Sequence, residues 1–311
     1  MPPTPHGLAD LHRHLDGSLR PATVADLSAA LGLVPPQDLP FFPGMGLREA
    51  LARFAFTLSL LQPPAAVRRV AAEMCADAAA EGTTTLEIRF APQLHRGAPP
   101  AAIVDAALEG IAGRAGLVLC ALYGEDPAVL ESLVQIAGPR PGVVGIDLAG
   151  GPLPSHRWQM ADYAPAFRRA GEHGLGRTVH AGEGRPPAEI RTAIELLGAE
   201  RIGHGTTLLA DEAVLELVLA RGVTLEACVT SNWHVGAIPT LADHPLPGWL
   251  ARGVKVAACA DNTLLSAVDL PEELRRVAAL PGMGPAQVTA VIAHGHAGAF
   301  PRTKALLGRH G

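Results

Sequence analysis

Two histidines in His12-Arg13-His14-Leu15-Asp16-Gly17-Ser18 and a third in His180-Ala181-Gly182-Glu183 are the residues of this chain best suited to holding a metal ion. Each group closes an apolar run that reads as a buried strand. On an extended strand side chains alternate with period two, so an H-x-H pair presents both imidazoles on one face. Paired imidazoles suit zinc, and His180 could complete a histidine-rich set. An open position on such an ion would hold a water and make it a nucleophile near neutral pH, the chemistry of a hydrolase.

The elements that must bring residues 12 and 180 together are legible as apolar runs. Eight read as strands: residues 8–15, 84–91, 117–122, 143–148, 177–181, 201–205, 223–228 and 254–260. Between them, segments such as 65–81, 100–112, 187–197 and 211–221 carry apolar residues at helical spacing. This alternation implies a parallel sheet, and eight units in about 250 residues fit an α/β fold of the (β/α)8 TIM-barrel type. Near-continuous apolar strands are expected where both faces are covered. Residues 21–62 exceed one barrel helix and are expected to form extra helices capping the C-terminal mouth. With no linker or composition break, residues 1–311 read as a single domain. A doubly wound sheet would want a Gly-rich turn after strand 1, where the chain has His-Arg-His-Leu-Asp-Gly-Ser instead. Polar residues gather at the strand C-terminal ends, where a barrel carries its chemistry: His12 and His14, Gly150, His180 and Glu183, His204, Ser231 and Asn232, Asp261 and Asn262.

These pieces, taken in order, resemble the adenosine deaminase family of metal-dependent aminohydrolases. Leu11 to Gly17 is followed by Gly145-Ile146-Asp147-Leu148-Ala149-Gly150, by His180 to Glu183, by Ile202-Gly203-His204-Gly205, by Thr230-Ser231-Asn232, and by Ala260-Asp261-Asn262. The resemblance runs from His12 to about Phe300. It implies one Zn2+ per chain held by His12, His14, His180 and Asp261, and a small-molecule aminopurine as substrate. It also places His204 beside the attacking water, as base or as electrostatic partner. Glu183 becomes the donor of a proton to the ring nitrogen next to the attacked carbon, a role that needs burial to raise its pKa. Gly150 resembles the glycine whose backbone N–H meets a purine nitrogen, and Asp16 the carboxylate on the sugar's 5′ side. Competing roles exist for each: Glu183 as a helix N-terminal carboxylate, Gly150 as a tight turn, Asp16 as cap of the helix starting near Pro21, His204 as a core histidine. The stripe Leu51, Phe54, Leu58 and Leu61 resembles the family's apolar gate, with plain core packing as its competitor. His294-Gly295-His296 is a second H-x-H, but on a helix residues i and i+2 do not face each other.

The chain departs from the family after strand 8. The usual pair of aspartates followed by proline is here Asp261-Asn262-Thr263. The ligand type survives, while the residue expected at the far side of the purine ring is an amide, Asn262. That change points to a second reading, deamination of a modified aminopurine (5′- or N6-substituted, aminodeoxyfutalosine-like) with little activity on adenosine. A reading of another class, an inactive purine-binding protein, is disfavoured by retention of the whole constellation. A binuclear amidohydrolase with a carbamylated lysine is disfavoured too, because no lysine precedes Lys255. A cytidine-deaminase-type site lacks its P-C-x-x-C element.

Bulk properties agree. Net charge is −5 without a basic block, which argues against nucleic acid as partner. Cys75, Cys120, Cys228 and Cys259 have no C-x-x-C spacing and sit in apolar surroundings, as reduced thiols do. Residues 1–5 lack the pattern of a leader, and no apolar run reaches membrane-spanning length. The expected setting is cytoplasmic, without a membrane partner.

Overall fold

The computed structural model describes residues 7–308, so residues 1–5, read above for a leader, lie outside it. Eight strands form one parallel sheet in sequential order: β1 Leu8–His14, β2 Thr83–Phe90, β3 Gly116–Leu122, β4 Val143–Ala149, β5 Gly176–Ala181, β6 Arg201–His204, β7 Thr224–Ala227 and β8 Lys255–Ala258. Each pairs with the next, and just past β8 a bridge between Asp261 and Arg13 brings the last strand back to the first. The expected TIM-type barrel is what forms. All eight runs named above are strands, with ends within two residues.

Among the described residues there are thirteen α-helices. Before β2 come α1 Pro21–Leu31, α2 Leu47–Leu60 and α3 Pro64–Ala80. Then follow α4 Pro100–Ile111, α5 Pro127–Ala137, α6 Ala164–Glu172, α7 Ala188–Glu195 and α8 Glu212–Arg221. The last are α9 Val229–His234, α10 Leu246–Ala251, α11 Leu270–Ala278, α12 Pro285–Gly298 and α13 Pro301–Leu307. The first is typical of how their boundaries arise: Pro21 opens α1 where its missing N–H costs nothing, and Gly32 ends it at φ 66°, a left-handed cap. Helix α3 packs on β2 and α4 and buries Val67, Val70 and Ala71 fully. Burying such a valine contributes about 1.5–3 kcal/mol. The approach of α4 is close because residue 110 is glycine: a Cβ there would sit 2.2 Å from the Arg68 carbonyl. Helix α2 reaches over the mouth, as expected for part of residues 21–62.

The interior departs from expectation. The strands are less apolar than their runs suggest: Glu87, Arg89, Asp147, Arg201 and Glu226 are buried and joined by ion pairs. Arg89 on β2 reaches Asp147 on β4 and Glu226 on β7 at 2.9 Å each. Bonds between strands so far apart in the order must cross the barrel lumen. Charges buried this way are tolerated only when paired and hydrogen-bonded. Among the described residues, no helix is long and apolar enough to cross a membrane.

Candidate active site

Strand β1 aims His12 and His14 at the mouth, and β5 delivers His180 beside them. The His14 Nε2 lies 3.2 Å from both the His12 and the His180 Nε2. Asp261 arrives by the step that closes the barrel. Its backbone N–H donates to the His12 carbonyl at 2.9 Å, and its carbonyl accepts from the His14 N–H at 2.7 Å. The side chain is thereby seated with Oδ1 3.5 Å from the Nε2 atoms of His12 and His14. Four ligands placed tetrahedrally at roughly 2.0–2.2 Å from a zinc ion lie about 3.3–3.6 Å from one another, close to the separations of His14 from His12, His180 and Asp261 and of His12 from Asp261.

The groups behind these imidazoles fix their tautomers. His12 Nδ1–H donates to Glu226 at 2.7 Å, and His180 Nδ1–H donates to Asp147 at 3.0 Å. In the neutral rings both Nε2 atoms then carry lone pairs directed at His14. Such contacts are relieved by a proton on one ring or by a metal ion that accepts the pairs. Although burial works against it, Asp147 raises the pKa of His180, whereas His12 and His14 are shifted the other way. Burial lowers the pKa of His12 and His14 and so favours the neutral, ligating form. Although burial works against it, His180 and Arg89 hold Asp147 below the usual carboxylate range. Among the described residues, His12–His14–Asp261 and His12–His180–His204 each form a group able to hold a metal ion.

His204 and Asp261 both have positive φ, 69° and 61°. Non-glycine residues adopt this conformation at a cost of order 1–3 kcal/mol, and it turns both side chains into the same chamber. A hydrogen-bond chain sets the direction of His204. The Leu246 N–H donates to His244 Nδ1, so neutral His244 donates from Nε2 to Asn232 Oδ1 at 3.2 Å. The Asn232 amide then donates to His204 Nδ1 at 3.0 Å and to Glu183 Oε1 at 3.3 Å. Burial pushes His204 down to about 3, although Asp261 raises it. The neutral ring therefore carries its proton on Nε2 and is a donor there. Of the two roles left open for this residue, the tautomer fits electrostatic partner better than base.

Glu183 is buried, and burial raises its pKa against the opposing pull of Arg185 and His180. It caps no helix: α7 begins at Ala188 with Pro187 at its N-cap. Asp16 is no cap either, since Arg20 precedes α1 and no side chain caps it. Burial pushes Asp16 up to about 7, and its Oδ1 has no hydrogen-bond partner among the described residues. Asn262 lies beside Asp261 with its Oδ1 buried and unpartnered among the described residues. Room for it exists because residue 17 is glycine, where a Cβ would lie 2.0 Å from that oxygen. Gly150 has φ 77° and open space at its Cβ position, so its turn and an accessible backbone coexist.

Two connected cavities follow. An inner chamber of about 50 Å³ is walled by His180, Glu183, His204, Ser231, Asp261 and Asn262. An outer cavity of about 510 Å³ shares His14, Gly150, Glu183, Leu51 and Phe54 with it and adds Asp16. That size is in the range of small-molecule sites. Leu51, Phe54 and Leu58 line the outer cavity, whereas Leu61 is fully buried in the core, so the apolar stripe splits between gate and core. His294 and His296 lie on α12, away from both cavities. His294 accepts from the Val256 N–H, and His296 contacts Thr85. His234 is buried against Phe41. The sequence reading missed Glu226, Asp147 and Arg89 behind the ligands. Their signal was available, as single charges interrupting apolar strand runs.

The family model described as adenosine deaminase matches residues 7–306. The chain belongs to the adenosine deaminase family. It is accordingly a hydrolase acting on C–N bonds. Among relatives of this family, the adenosine deaminase of Erwinia tasmaniensis is 34% identical over 306 residues, covering 90% of each chain. A probable adenosine deaminase of Dictyostelium discoideum is 32% identical over 86% of this chain, which spans 37% of that longer relative. An adenine deaminase from Arthrobacter aurescens superposes with a TM-score of 0.86 at 25% identity, over 97% of both chains.

Proposed function

We propose that this protein is a zinc-dependent aminohydrolase that removes the 6-amino group of adenosine or a related adenine-bearing nucleoside or base, releasing ammonia. The observation that carries this reading is the convergence on His14 Nε2 of the His12 and His180 Nε2 atoms, at 3.2 Å each, and of the Asp261 Oδ1, at 3.5 Å, beside a buried acid. A zinc ion held by His12, His14, His180 and Asp261 would supply a water acidified enough to attack near neutral pH.

The chain's own groups do the rest. The His204 Nε2–H holds the attacking oxygen in place as water adds to carbon 6. Glu183, kept protonated by burial, gives its proton to the neighbouring ring nitrogen. Ammonia then leaves carrying one of the water's protons, the other returns to Glu183, and the ring keeps the oxygen. The Gly150 N–H meets a ring nitrogen and Asn262 the opposite ring edge, while Asp16 faces the sugar side. The relatives' names, adenosine and adenine deaminase, share the adenine ring and differ in the sugar, so the ring is the part that transfers to this chain. The whole chain acts as one domain on a small-molecule aminopurine.

Asn262 favours a second reading, a modified aminopurine as preferred substrate. Ammonia release from adenosine, deoxyadenosine, adenine and 5′- or N6-modified adenosines tests both. Release from at least one adenine-bearing compound is expected. Silence across the panel with zinc-loaded protein would contradict deamination.

A further inference from the structure

The outer cavity carries two cations that deamination leaves unused. Arg185 lies in the loop between β5 and α7. Its Nε donates to both Glu189 carboxylate oxygens, at 3.0 and 2.9 Å. Its Nη1 and Nη2 are buried and have no hydrogen-bond partner among the described residues. A guanidinium has five N–H donors, so four remain unmatched behind the wall of the cavity that Arg185 helps to line. Leaving charged donors unmatched in a buried place is costly. Gly151 makes room for the group, since a Cβ there would lie 2.5 Å from Nη1. From α2, Arg48 lines the same cavity and makes no ion pair among the described residues.

Position assigns these cations to the substituent rather than to the reacting ring. Neither arginine lines the inner chamber, whereas Glu183, Gly150 and Phe54 line both cavities. Of the acids on the outer wall, Glu183 is shared with the inner chamber, and Asp16 lines the outer cavity alone, two residues after His14. Leu58, Leu94, Leu122 and Leu153 line the same cavity as the arginines. Low polarity there strengthens a charge contact, and a free guanidinium fork matches carboxylate or phosphate oxygens in pairs.

We propose that the outer cavity is a subsite for an anionic group, a carboxylate or a phosphate, carried on the aminopurine's substituent and gripped by Arg185 with Arg48 assisting. The inference rests on the deaminase reading for the orientation of the ring and names the substrate class more narrowly. That class is an adenine-bearing molecule with an acidic tail, which uncharged adenosine lacks.

Two matched pairs test it on the zinc-loaded protein: AMP against adenosine, and a 5′-arylthio-adenosine carboxylate against its neutral carboxamide. Both kcat/KM for ammonia release and Kd for the corresponding 6-oxo compounds are measured. The acid of at least one pair should be preferred by roughly tenfold to a hundredfold, and the pair that shows it identifies the anion. In Arg185→Gln, and separately in the exposed-site variant Arg48→Gln, that preference should fall several-fold, through KM rather than kcat. Equal Kd within both pairs, or a preference untouched by both variants, would overturn the subsite. An arginine-dependent Kd preference without ammonia release from any compound would instead sustain the subsite and defeat the deaminase reading.

Discussion

Glu183 has a single hydrogen-bond donor on its Oε1, the Asn232 amide at 3.3 Å, and otherwise meets a buried wall. That environment raises its pKa, and a proton donor works only below its pKa. Turnover should therefore hold through the range where Glu183 stays protonated and fall as pH climbs past its raised value. Glu183→Gln should keep fold and metal, lose about 10²–10⁴-fold in kcat, and lose that alkaline limb of the pH–rate profile. A variant with near-normal kcat would show that the ring proton comes from elsewhere. Asn262 makes a separate prediction. Its amide can donate to a ring acceptor without first holding a proton, as an aspartate must, and its unpartnered Oδ1 can accept from an N–H. Asn262→Asp should shift relative kcat/KM towards adenosine, by about tenfold at most. An unchanged ranking over the aminopurine panel would remove Asn262 from substrate recognition. At this scale the chain was most readable where residue type and spacing act together, as in His12-x-His14 and His180 to Glu183. It was least readable for Arg185, because nothing in Gly184-Arg185-Pro186 tells that two guanidinium nitrogens end without partners.

Strands β4 and β7 each contribute one carboxylate, visible in the sequence only as a single charge within an apolar run. Glu226 holds His12 Nδ1 and also receives Arg89 and Arg201, while Asp147 holds His180. Groups that orient a ligand imidazole in this way typically matter 10–100-fold in metal affinity. Glu226→Gln should weaken zinc binding by about that factor in chelator competition. It should also lower Tm, because two arginines lose a buried counter-charge. Unchanged zinc affinity would mean that Glu226 serves the arginines alone. Where α11 meets α9, Glu273 accepts from the Thr230 N–H at 3.0 Å and from its hydroxyl. Burial pushes its pKa from 4.5 up to about 7, against those hydrogen bonds. Between these values the folded chain holds a proton that the unfolded chain has lost, so stability contributed by this group falls as pH rises from 4.5 to 7. Melting curves across that window should show a downward slope in wild type that is shallower in Glu273→Gln. Equal slopes would contradict the assignment. The strands themselves were legible because both faces are covered, yet their ends were not. Residues 259 and 260 read as strand, but the chain leaves β8 at Ala258 and swings Asp261 against β1. The same turn that ends the ladder places the ligand.

Over the whole molecule, eight sequential parallel strands, a bridge from Asp261 to β1 and a helix over the mouth make closure of the barrel and assembly of the site one event. The repeated strand–helix alternation carried that architecture in the sequence. The charged layer across the lumen did not show, because each strand supplies only one or two of its members. The central claim is that this barrel deaminates an adenine ring at a zinc ion held by His12, His14, His180 and Asp261. The direct measurement is ammonia release from the aminopurine panel against zinc content, in protein as purified, after chelation, and after zinc is restored. The account predicts activity that rises in proportion to zinc up to about one ion per chain, vanishes on chelation and returns with the metal, while His12→Ala neither holds zinc nor releases ammonia. Full turnover in stripped protein, or in His12→Ala, would contradict it.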